Sequence, residues 1–85
     1  MIVSERLRRV VATVFGAPVE EINAATSPDN LGRWDSLHHL NLIIALEEEF
    51  GVSICPEDSD ELLTVGIIQL FLEEKGAALG QTQRV

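Results

Sequence analysis

Hydrophobic positions along this chain recur at helical spacing in three stretches, and the segments between them keep no period. In the first stretch Val3, Leu7, Val10, Val11, Val14 and Phe15 recur every three or four residues, which predicts an amphipathic helix over 4–15. Ser4 can cap its start and Gly16 can end it, while its arginines fall largely off the apolar stripe. From Gly16 to Trp34 the period is lost, and Pro18, Ser27-Pro28-Asp29-Asn30 and Gly32 punctuate turns. A loop this long in a compact domain needs anchors. Ile22 and Leu31 are the candidates, with a helical turn expected near Val19–Asn23.

The strongest periodic segment is 36–50, opened by Asp35-Ser36 and closed by Gly51. Val52 to Pro56 reads as an extended connection. Asp58, with Glu61 three residues later, predicts a capped short helix ending near Leu63. Thr64 can cap a last helix over 65–75 that turns Ile67, Ile68, Phe71 and Leu72 inward and ends at Gly76. The expected domain is therefore 1–76, all helical, with 77–85 as a frayed tail.

The 36–50 helix has two apolar faces. With about 100° of rotation per residue, His39, Leu42, Ile43, Leu46 and Phe50 share one side, the expected core side. Leu37, Leu40, Asn41, Ile44 and Glu48 share the opposite side, with Glu47 at its margin. A small domain needs one buried face per helix, so the second is either a docking surface or a face covered by a neighbouring helix. The pattern alone does not choose between them.

Charge narrows the partners. The chain has 85 residues and a formal net charge of −8. From Asp35 to Glu74 there are ten acidic residues and no Lys or Arg, whereas residues 1–33 balance at zero. Such a surface repels phosphate backbones and anionic lipid and favours basic protein partners, so nucleic-acid binding and membrane insertion are not expected. At this length a domain buries only about 60–65% of its extended surface, which disfavours a deep enzyme pocket. Cys55 is the only cysteine. A lone thiol, the absence of an apolar run of membrane-spanning length and a start without signal-peptide architecture predict a soluble cytoplasmic protein, and a monomer is expected.

Ser36 is the residue with the most specific chemistry on offer. Ser and Asp at a helix start are ordinarily caps and nothing more. A phosphoryl group esterified to the Ser36 hydroxyl would nevertheless meet free backbone N–H groups and the positive end of the helix dipole, a favourable place for an anion. A nucleophilic role is disfavoured, because His39 points toward the core and no glycines form an elbow around Ser36. His38, His39 and Cys55 have no recognisable metal-ligand spacing.

Leu31-Gly32-Arg33-Trp34-Asp35-Ser36-Leu37 resembles the attachment motif of acyl carrier proteins, in which Asp-Ser-Leu follows a Leu-Gly turn. Ala45-Leu46-Glu47-Glu48-Glu49-Phe50-Gly51 with Ile54 is similar to the acidic end of that family's second helix, and Leu63-Thr64-Val65-Gly66 to the start of its fourth. The blocks keep their order and separation over about residues 4–76.

The resemblance implies a four-helix bundle with a short third helix and a long loop between helices 1 and 2. It implies that Ser36, flanked by Asp35 and Leu37, receives a phosphopantetheine arm from coenzyme A, added by a magnesium-dependent phosphopantetheinyl transferase. The chain then shuttles thioester-bound acyl groups and catalyses nothing itself. On this analogy Leu37, Leu40, Asn41, Ile44, Glu47 and Glu48 meet basic patches on acyl-loading and acyl-transferring enzymes. Leu46, Ile54, Leu62, Ile68 and Phe71 match positions able to line an acyl pocket. Departures are His38, His39 and Asn41, where housekeeping fatty-acid carriers are commonly more acidic, and Trp34, where a small residue is frequent. They point to a specialised stand-alone carrier for a polyketide-like, lipid-modifying or amino-acyl pathway. An unmodified acidic adaptor that docks an enzyme, and a small serine hydrolase built on Ser36 and His39, are the competing readings.

Overall fold

The computed structural model describes residues 3–77, and within them the chain forms four α-helices and no strand. These are α1 (Glu5–Phe15), α2 (Ser36–Phe50), α3 (Pro56–Glu61) and α4 (Val65–Glu74), with one 3₁₀ turn at Val19–Glu21 in the loop between α1 and α2. The architecture is the all-α bundle with a short third helix and a long first loop. Residues 78–85 of the expected tail lie outside the described residues. Ala77 still belongs to the packed unit, since it rests on the core and its N–H donates to the Leu72 carbonyl. Among the described residues no helix is long and apolar enough to cross a membrane.

Local chemistry sets most helix ends. Ser4 Oγ accepts the Leu7 N–H, Asp35 Oδ1 the His38 N–H and Thr64 Oγ1 the Ile67 N–H, each supplying an acceptor to a donor that helix geometry leaves open. Gly16 ends α1 at φ 65° and Gly51 ends α2 at φ 66°, the left-handed conformation that glycine adopts without a side-chain clash. Gly16 has a second constraint. Arg33 Nη1 donates to the Phe15 and Gly16 carbonyls at 3.0 and 3.1 Å, so a Cβ on residue 16 would sit 2.9 Å from it.

Two expectations need correction. The Asp58–Glu61 pair does not cap α3. That helix begins two residues earlier at Pro56, whose ring presets φ and whose missing N–H costs nothing at a first helical position. The Asp58 carboxylate instead accepts the Cys55 thiol at 3.2 Å. On α4, Ile67 faces outward and Phe71 is only half-buried, while Val65, Ile68 and Leu72 form the inner line. Ile67 and Ile68 diverge by about 100°, so burying Ile68 in the bundle turns its neighbour toward solvent.

The core joins Leu7, Val11 and Phe15 of α1 to Leu42, Ile43, Leu46 and Phe50 of α2 and to the inner line of α4. Ile22 anchors the long loop as expected, and Leu31 packs half-buried. Trp34 is a third anchor at 5% exposure, with its ring 5.1 Å from that of Phe15. Polar ties hold the rest of the loop. Arg8 donates to the Val19 and Ile22 carbonyls, and the loop carbonyls of Thr26 and Ala24 accept the Val65 and Gly66 N–H groups at the open start of α4.

The two faces of α2 can be told apart energetically. Leu46→Ala is expected to cost about 2–5 kcal/mol in chemical denaturation because it leaves a buried void. Leu40→Ala is expected to stay within about 0.5 kcal/mol, as for an exposed position.

Candidate functional site at the start of α2

Ser36 is the first residue of α2 and is exposed. Its position is dictated from three sides. Trp34 roots the preceding loop in the core, the Arg33 guanidinium clamps that loop to the end of α1, and Asp35 caps the helix that follows. Among the described residues the Ser36 hydroxyl makes no hydrogen bond, in contrast to the cap hydroxyls of Ser4 and Thr64. Asp35, not Ser36, is the cap. The serine is thus a free hydroxyl on a rigid mount, which suits an esterified group.

Asp35 is occupied by its neighbour. Its Oδ1 accepts the His38 backbone N–H at 2.9 Å and the His38 ring Nδ1–H at 2.8 Å. These bonds, the backbone one foremost, hold the Asp35 carboxyl below the usual carboxylate range. Arg33 is spent on the carbonyls at the end of α1. The N–H groups and dipole of the first turn are therefore the local attraction that an anion at this helix start would meet.

The ridge beyond the serine is open. Leu37, Leu40 and Ile44 are 64%, 56% and 46% exposed, and Asn41 and Glu48 are exposed beside them. Among the described residues no neighbouring helix covers this face. Glu47 is half-buried and has an internal role, because its Oε2 accepts the Ile54 N–H at 2.9 Å and fastens the connection to α3.

Leu46, Ile54, Leu62 and Ile68 come together in the core, each at most 9% exposed, with Phe71 packed against them from the side. Leu62 and Phe71 also line an open groove between α3 and α4, shared with Ile67 and Leu70. The Ser36–His39 pair of a hydrolase does not form. Both ring nitrogens of His39 are engaged elsewhere, Nδ1 by the Trp34 indole N–H at 2.9 Å and Nε2 by Ser59. Sequence reasoning missed this bridge, although a histidine on a core-facing helix side signals a buried partner. His38 and Cys55 likewise turn to Asp35 and Asp58.

Residues 5–66 match the family described as a phosphopantetheine attachment site. The chain is 38% identical over 76 residues to an acyl carrier protein of Sinorhizobium fredii strain NBRC 101917 / NGR234, covering 88% of this chain and 96% of the relative. It has the same identity and coverage to the acyl carrier protein AcpP of Rhizobium meliloti strain 1021.

The Asp35 cap carries a pH signature. A carboxyl whose folded pKa is lowered adds stability above its unfolded value, near about 4, and loses it as pH falls through the folded value. Asp35→Asn keeps an oxygen for the His38 N–H but does not titrate. Denaturation across acidic pH should show a shallower fall for this variant than for the wild type, and equal slopes would count against the cap.

Proposed function

The chain belongs to the acyl carrier protein family, and from that membership we propose that Ser36 bears the phosphopantetheine arm and that the protein shuttles acyl groups between enzymes without catalysis of its own. The observation that carries the assignment is the exposed, unbonded Ser36 hydroxyl at the capped start of α2. When attached, the arm supplies a terminal thiol that holds acyl groups as thioesters. Asp35 and Trp34 hold the attachment point still, and the first turn of α2 receives the phosphodiester charge.

The partners are a phosphopantetheinyl transferase and acyl-loading and acyl-transferring enzymes with basic patches. They would grip Leu37, Leu40, Asn41 and Ile44 and pair with Glu48, with Glu47 contributing what its bond to Ile54 leaves free. The core side chains Leu46, Ile54, Leu62 and Ile68, with Phe71 at their edge, are the candidates to receive the acyl chain. His38, His39 and Asn41 make the early part of α2 less negative, which supports a specialised polyketide-like, lipid-modifying or amino-acyl pathway with its own partner set over central fatty-acid synthesis. The carrier unit is residues 1–76 together with Ala77, which packs on its core. A surface at −8 disfavours self-association, so the carrier works as a monomer, and its lone cysteine suits the cytoplasm.

Incubation with coenzyme A, magnesium and a broad-specificity transferase should add one phosphopantetheine mass to the wild type and none to Ser36→Ala. An unmodified wild type beside a competent control carrier would favour the acidic-adaptor reading. Partner affinity should weaken as salt rises, since exposed charges are screened over about 8–10 Å at moderate ionic strength. Glu48→Lys should slow association while shifting folding stability by only about 0–1 kcal/mol.

A further inference from the structure

Attachment of the arm makes no use of His39 or Ser59, yet with Trp34 these two form a continuous polar bridge. The Trp34 indole N–H can only donate, so His39 Nδ1, 2.9 Å away, accepts it. The neutral ring then carries its proton on Nε2, which lies 2.9 Å from the Ser59 carbonyl oxygen and 3.2 Å from Ser59 Oγ. A carbonyl only accepts, so both ends of the imidazole are matched. The two rings lie edge to edge, 23° from coplanar with centroids 6.1 Å apart, which suits a ring-to-ring hydrogen bond.

The element this bridge reaches has little else to hold it. α3 is six residues long, buries none of its side chains, and no side chain caps a backbone N–H at its start, the Cys55 thiol there reaching only the Asp58 carboxylate. The Ser59 carbonyl that receives His39 also accepts the Leu62 N–H at the helix end. Leu46 and Leu62 are 0% and 1% exposed, so a guest chain can touch them only after some element moves. α3 forfeits the least buried surface by moving.

We propose that His39 is a positioning residue: a clasp that ties Trp34 and α3 to the arm-bearing end of α2 and sets how readily an arm-borne acyl chain enters the interior. Its gating role rests on the assignment of the arm to Ser36. The clasp itself does not.

Two variants separate the halves of the bridge. In His39→Gln the amide nitrogen takes the place of Nε2 and still donates to Ser59. In His39→Asn the amide oxygen takes the place of Nδ1 and accepts from Trp34 without reaching α3. In the unmodified full chain, His39→Asn should speed hydrogen exchange at the Ser59 and Leu62 amides roughly tenfold, the scale of one lost hydrogen bond, while the Trp34 indole N–H stays protected. His39→Gln should do the reverse, and the Leu7 and Val11 amides of α1 should not change in either. Equal loosening of α3 in both variants, or none in His39→Asn, overturns the clasp.

With the arm loaded from octanoyl-coenzyme A, hydroxylamine should cleave the thioester more slowly in His39→Asn than in the wild type, and at the wild-type rate in His39→Gln. Identical rates in all three overturn the gating. A wild type that takes up no arm would count against Ser36 and not His39, which the exchange data judge by themselves.

Discussion

Burial of one side of α2 is the constraint on which the rest of the molecule depends. Leu42, Ile43, Leu46 and Phe50 enter the common core with α1 and α4, and each such side chain contributes about 1.5–3 kcal/mol when fully removed from water. That burial fixes the rotation of the helix about its axis. With the inner face committed, Leu37, Leu40 and Ile44 must point outward, and among the described residues nothing remains to cover them. The exposed ridge is thus a geometric consequence of the core. Ser36 lies at the head of the same rigid cylinder, so the serine and the ridge are presented together.

Electrostatics follows from how the arginines are used. Arg8 and Arg33 hold loop and helix-end carbonyls, Arg9 pairs with Glu5, and Arg6 reaches across to Glu49 while lying over the Phe50 ring. The pairs at the surface add little stability. Their larger effect is that the positive charge of residues 1–33 is bound up in construction. Most carboxylates of the second half have no basic partner there, and the field around α2 and α3 stays negative. A carrier that visits several enzymes gains fast, salt-sensitive encounters from such a field without a large permanent interface.

The loop before α2 shows how a long irregular segment is kept in place. Ile22 and Trp34 bury apolar area near its two ends, and backbone carbonyls in its middle serve the open N–H groups of α4. The residue that opens α2 is therefore positioned from outside its own helix. His39 extends the same arrangement to α3, the least buried element of the bundle.

Features governed by near neighbours were legible in the residues alone. The span of α2, the caps at Ser4, Asp35 and Thr64 and the glycine stops at 16 and 51 all depend on contacts within a turn or on a simple apolar period, and Ile22 stood out as an isolated apolar residue in a polar loop. The same holds for the candidate attachment site, since Asp-Ser-Leu at a helix start is a local statement. What tertiary packing decided was that the second apolar face of α2 would be left uncovered among the described residues, and that Ile68 and not Ile67 would turn inward. It also decided that Glu47 would serve Ile54 and that His39 would join Trp34 to Ser59. In each case the outcome turns on competition for one core or on partners that folding alone brings within reach, and periodicity along a single chain cannot rank those alternatives.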